Sequence, residues 1–90
     1  MNAILIGYDL NRPGQNYNNL IAALKAYGTW WHGLDSTWIV KTSSSAEQVR
    51  NSLLGHIDQN DRLLVVNITG QAAAWFGFDQ TANTWLQQNL

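Results

Sequence analysis

Two stretches of this chain space their apolar residues for a helix, and each lies between segments that read as strands. That alternation limits what ninety residues can become more than any single residue does. Tyr17, Leu20, Ile21, Leu24 and Tyr27 follow the i, i+3, i+4, i+7 stripe of a helix with one buried face, and Gly28 supplies its stop. Ala46, Val49, Leu53 and Ile57 form the second stripe, introduced by Ser44-x-x-Glu47 as a capping box. Residues 3–9 are an apolar run that ends in an acid, as a buried strand does where it meets solvent. Residues 29–32 and 36–42 are rich in Trp, Thr, Ile and Val, and Gly33-Leu34-Asp35 between them reads as a hairpin or a bulge. Residues 62–68 make a last apolar strand. Asn11-Arg12-Pro13-Gly14 and Asp58-Gln59-Asn60-Asp61 are turn chemistry. The order is βαββαβ.

Such an order predicts an α+β domain of the ferredoxin-like kind, a four-stranded antiparallel sheet with both helices on one face. The first and last strands alone are unbroken apolar runs, which predicts that they sit in the middle of the sheet. Residues 1–90 then form a single domain, with a core at 1–70 and a short C-terminal extension at 71–90. The extension holds an apolar patch (Ala74, Trp75, Phe76, Phe78) and a short helix capped by Asp79 that buries Ala82, Trp85 and Leu86. Trp30, Trp31 and Trp38 alternate along strands, so they cannot all face one core.

Composition narrows the partners. There is no cysteine, so disulfides, thiol nucleophiles and Cys-type zinc sites are out. Five Trp, three Tyr and two Phe are a large aromatic load for one small core, and sharing that surface with a second copy predicts a homodimer. The longest apolar runs fall far short of the roughly 18 residues a membrane-spanning helix needs. With no basic leader at the N-terminus, the expected location is cytoplasmic. Net charge is −1, with five Lys and Arg placed singly, which predicts weak nucleic-acid binding or none. Any phosphate contact falls to Arg12, Lys41 or Arg50.

Tyr8-Asp9-Leu10 resembles the Tyr-Asp-Ile signature of CRISPR-associated protein 2, and Leu34-Asp35-Ser36-Thr37-Trp38 resembles a strand of that family. With Trp30-Trp31-His32 and Asp61-Arg62-Leu63-Leu64-Val65 included, the chain is similar over nearly its whole length to the SinR-like small bacterial proteins. Virulence-associated protein D, a dimeric ribonuclease, shares that fold family. The resemblance implies a homodimer whose sheets meet, with the two Asp9 carboxylates facing each other and holding Mg²⁺ or Mn²⁺ at the dimer interface for phosphodiester cleavage. It equally implies a structural role bridging partner proteins. The chain departs from the pattern in three places. Asn11 stands where a second acid or polar partner is expected, Arg12 is the remnant of a basic cluster, and Leu34 replaces a glutamine.

Asp9 is therefore the candidate for catalysis and for metal binding. His32, three residues from Asp35, is a second catalytic candidate through an oriented imidazole. Arg12 and Lys41 are the candidate nucleic-acid contacts, and His56 is read as a helix-end residue. Three functions follow: a dimeric interaction module without robust catalysis, a metal-dependent endonuclease acting on RNA or DNA through paired Asp9, and a toxin–antitoxin or immunity-type regulator with a protein partner.

Overall fold

The computed structural model describes residues 1–11 and 17–90, so Arg12 and the centre of the first loop lie outside the described residues. The elements run β1 (Asn2–Asp9), α1 (Asn18–Lys25), β2 (Trp30–Leu34), β3 (Thr37–Thr42), α2 (Ala46–Leu54), β4 (Arg62–Asn67) and α3 (Gln80–Asn89). The four strands form one sheet in the order β2-β3-β1-β4, with every neighbouring pair antiparallel. This is the expected ferredoxin-like α+β arrangement. Among the described residues no helix is long and apolar enough to cross a membrane.

The main core lies on one face. Ile4 and Ile6 of β1 and Trp38 and Val40 of β3 meet Leu20 and Leu24 of α1 and Val49 and Leu53 of α2, all of them fully buried. Period-two alternation puts the intervening strand residues on the back of the sheet. There Trp31 and Ile39 pack with Leu86 of α3, and Trp75, Phe78, Ala82 and Trp85 close around them. The C-terminal extension thus serves as a second, smaller layer. Trp30 joins the helix-face core while Trp31 joins the back, as alternation requires.

The placement of β4 corrects the sequence reading. The central strands are β3 and β1, and β4 is an edge. Each βαβ crossover leaves room for one strand, so β1–α1–β2 brackets β3 and β3–α2–β4 brackets β1. The run of β4 is unbroken for a different reason than burial. Leu63 and Val65 face the helices, while Leu64 and Val66 point outward and are 63% and 39% exposed.

Helix ends differ by a residue from the expected. The N-cap of α2 is Ser45, not Ser44: its hydroxyl accepts from the Gln48 amide at 3.1 Å, and the Gln48 side chain accepts from the Ser45 amide at 2.8 Å. Glu47 has no part in the box. Ser44 instead offers its carbonyl to Asn2 at 3.1 Å, which pins the loop to the start of β1. Because that bond uses main chain, Ser45→Ala is expected to cost about 1 kcal/mol and Ser44→Ala under about 0.5 kcal/mol. Urea denaturation of the two variants checks the order. The helix stops at a Gly55 C-cap, so His56 lies beyond it, and its amide closes the end by donating to the Leu53 carbonyl at 2.9 Å. Gly28, at φ +86°, turns the chain out of α1 as expected. Asp79 caps α3, accepting from the Ala82 amide at 2.8 Å.

The β2–β3 hairpin carries the expected irregularity, a register shift between Trp31 and Leu34. Gly33 sits within it because the Trp31 indole lies directly over its Cα. A Cβ there would run into Cζ2, Cη2 and Cε2 of that ring. The buried Trp31 indole nitrogen has no hydrogen-bond partner among the described residues, and an unmatched buried donor of this kind costs about 1–3 kcal/mol.

Candidate functional site

The end of β1 is where the candidate chemistry gathers. Tyr8 follows Ile4 and Ile6 on the helix face, and its hydroxyl accepts from the Trp38 indole N–H at 3.0 Å. Its amide donates to the Ser36 carbonyl at 3.0 Å, holding the strand end against the β2–β3 turn. Asp9, next in the alternation, lies on the back of the sheet and is exposed. Its carboxylate has no hydrogen-bond partner among the described residues. Across the ladder it stands opposite Arg62, with Gly7 opposite Leu64 and Leu5 opposite Val66. The back of β1 and β4 is therefore one column, apolar for two rungs and charged at its end.

The next acid along the chain is Asp61, and it does a different job. Its carboxylate accepts from the Asn11 amide at 2.7 Å, from the Tyr17 hydroxyl at 2.8 and 2.9 Å, and from the Asp58 amide at 2.7 Å. Asn11 and Tyr17 flank residues 12–16, so one side chain ties both ends of that segment to the turn before β4. Asn11 adds side-chain bonds of 3.3 Å to the Asp9 and Asn60 carbonyls. The residue that stands where an acid was expected is thus a loop tie. Composition had marked Asp58–Asp61 as a turn but left Asp61 without a role. The signal available was the tyrosine opening the first helical stripe, whose hydroxyl needs a partner when partly buried.

His32 and Asp9 are not brought together. His32 lies on β2, separated from β1 by β3, and its ring stacks on Trp38 at 4.0 Å between centroids and 14° between planes. Trp38 belongs to the helix face, whereas Asp9 faces the back. Asp35 does lie beside the imidazole, and it does so through its backbone: the His32 Nε2 lies 3.1 Å from the Asp35 carbonyl. That geometry orients a ring against a turn, and places it beside Trp30, whose own ring is 5.1 Å from Trp38.

The basic side chains are dispersed. Lys41 Nζ donates to the Asn89 carbonyl at 3.2 Å, where a cation suits the end of a helix, so it fastens α3 to the sheet. Arg50 is on α2, bonded to the Asn51 side chain at 2.8 and 3.1 Å and 3.9 Å from Glu47. Lys25 sits 5.5 Å above the Trp30 ring. Arg12 is outside the described residues. Asp9 is an exposed hard-cation ligand on this face, and no cluster of three metal-ligating side chains occurs among the described residues. A Mg²⁺ or Mn²⁺ ion at Asp9 would be held by one or two carboxylates, with waters filling its remaining positions.

Comparison with known protein families, with curated proteins and with solved structures found no match to this chain.

Proposed function

We propose that this chain is a self-associating interaction module, a ferredoxin-like homodimer joined through the back of β1 and β4 and without robust catalysis of its own. The observation that carries this reading is the uncovered apolar column on an open sheet edge. Leu64 and Val66 stand in solvent beside the half-buried Leu5, and nothing lies within 4 Å of where a side chain on Gly7 would begin. An edge strand with outward apolar side chains is a ready pairing surface, and a contiguous patch of this kind marks an interaction site. A twofold joint would use the same patch from both copies. The side chains nearest the candidate chemistry are meanwhile engaged in structure: Asp61 and Asn11 in the loop, Lys41 on α3, His32 on Trp38.

Sedimentation equilibrium at micromolar concentration tests the proposal. Wild type should run at twice the 10.1 kDa of the chain. Leu64→Asp should shift it to monomer, since each copy forfeits about 1.5–3 kcal/mol of apolar burial. Over two copies that weakens association on the order of a hundredfold or more. A wild type that is monomeric at this concentration sinks the reading.

A second reading, a metal-dependent endonuclease acting on RNA or DNA, is favoured by one observation. Asp9 is exposed, its carboxylate has no hydrogen-bond partner among the described residues, and it lies on the face that would join the two copies. Paired across that joint, two carboxylates would be placed to share a divalent cation. A native-state metal ion at a hundred times its dissociation constant stabilises by about 2.7 kcal/mol. Melting curves of wild type and Asp9→Asn with millimolar Mg²⁺ separate the readings. A metal-induced rise confined to wild type supports the nuclease, and no rise in either supports the interaction module.

A further inference from the structure

On the side of the sheet away from β4, strand β2 is a free edge. The Lys41 amide donates to the Thr29 carbonyl at 3.0 Å, which makes that pair a hydrogen-bonded rung of the β2–β3 ladder. Such rungs alternate with open ones in an antiparallel pair. The next rung, Trp30 with Val40, is therefore open, and the Trp30 amide and carbonyl point away from β3. The β1–β3 ladder agrees. Its bonded rung of Tyr8 with Ser36 puts another at Ile4 with Val40, so Val40 turns its main-chain groups to β1. Among the described residues no other element bonds to the Trp30 main chain.

A groove of about 680 Å³ runs beside this edge. Trp30 and Trp31 take opposite faces of the sheet and both line it, so it follows the edge and not one face. Its far wall is the start of α3, with Asp79, Thr81 and Trp85. We propose that the groove takes an extended peptide segment of a partner protein, laid along β2 so that it pairs with Trp30 and directs a lysine or arginine to Asp79. The proposal goes beyond self-association, and two strands separate the groove from β4.

Three observations define the occupant. An outward N–H and C=O on one strand residue match the main chain of another extended segment, and alternate side chains of that segment then reach the two walls. The ladder shifts register between Trp31 and Leu34, so a long strand of another folded sheet cannot continue along it, whereas a short free segment needs only the rung at Trp30. Charge selects among peptides. Among the described residues the groove is lined by the Asp79 carboxylate and by no Lys or Arg, which also opposes a phosphate backbone. Asp79 is exposed, and while its Oδ1 caps α3, its Oδ2 has no partner among the described residues. Lys25 already lies over the Trp30 ring at 5.5 Å, so an incoming cation goes to the α3 wall.

The probe is the blocked peptide acetyl-Thr-Val-Lys-Val-Thr-amide, titrated by calorimetry and by nitrogen-15 amide spectra. It should bind saturably, one per chain, with a dissociation constant on the order of 0.1 mM, and slow hydrogen exchange at the Trp30 amide. Successive N–H groups of a strand point to opposite sides. N-methylation of the two valines, or instead of the lysine and last threonine, should therefore abolish binding in one case and leave it within about twofold in the other. Replacing the peptide's lysine by glutamine should weaken binding about three- to fivefold. Asp79→Asn, which still caps the helix, should weaken the lysine peptide alike and leave the glutamine peptide unchanged. Leu64→Asp should bind as wild type does. Strand pairing is overturned by absence of saturable binding, by equal behaviour of the two methylated peptides, or by an unchanged Trp30 amide. Equal effects of Asp79→Asn on both peptides overturn the charge assignment. Loss of binding in Leu64→Asp would place the site in the joint between copies, and displacement of the peptide by decathymidylate would make it a nucleic-acid site; either overturns the proposal.

Discussion

Trp38→Ala is expected to remove most of the stability of this domain. Trp38 is fully buried at the centre of the helix-face core, between the two helices and the two central strands. Replacing a buried Trp by Ala costs about 3–5 kcal/mol, from lost transfer energy and from the cavity left behind. Here the loss extends further: the Tyr8 hydroxyl loses its donor, and the His32 and Trp30 rings lose the surface they rest on. A domain of this length has on the order of 0.05–0.15 kcal/mol per residue in total, so the variant should be largely unfolded well below the wild-type melting temperature. Urea denaturation followed by far-ultraviolet circular dichroism measures it. Trp30→Ala, at a partly buried position on an edge strand, should cost less. A Trp38→Ala cost below about 1.5 kcal/mol would mean that the core is not centred where the structure puts it.

The second large effect is expected at Asp61, and it separates two acids that the sequence presents alike. Asp61→Ala leaves the Asn11 and Asp58 amides and the Tyr17 hydroxyl without their shared acceptor. Hydrogen bonds to charged groups contribute about 1.5–3 kcal/mol each but are not additive around one carboxylate, so a total of about 2–4 kcal/mol is expected. Asp9→Ala, which breaks no side-chain hydrogen bond among the described residues, should change stability by less than about 0.5 kcal/mol. The pair of variants therefore tests the division of labour directly. One acid holds the fold and the other is left available. A cost at Asp9 comparable with that at Asp61 would assign Asp9 to structure and remove the reason to consider it for metal binding.

What was readable from residue order alone was whatever depends on neighbours a few positions apart. The stripes Leu20–Leu24 and Val49–Leu53, the stop at Gly28, the Asp79 cap and the opposed faces of Trp30 and Trp31 all follow from helical or strand periodicity. Their order then restricts the topology to very few arrangements. The place of β4 was not readable in this way, because an apolar run looks the same whether both faces are covered by protein or one is left for a partner. The cap at Ser45 rather than Ser44 escaped for a related reason. Three adjacent serines are equivalent until the Ser44 carbonyl is claimed by Asn2, 42 residues away.

The site divides along the same line. Residue order marked Asp9 as a strand-end acid, and it is one. It could not show that His32 would lie on the other face, since that depends on a bulge and on which strand comes between. Nor could it show that Asp61 would bind an amide 50 residues away and a hydroxyl 44 residues away, or that the last twenty residues would roof a cavity over Trp31 and Ile39. Local spacing determines which face a side chain takes within its own element. Contacts between residues far apart in the chain are decided only when the whole sheet closes, because their energies depend on distances that no single segment sets.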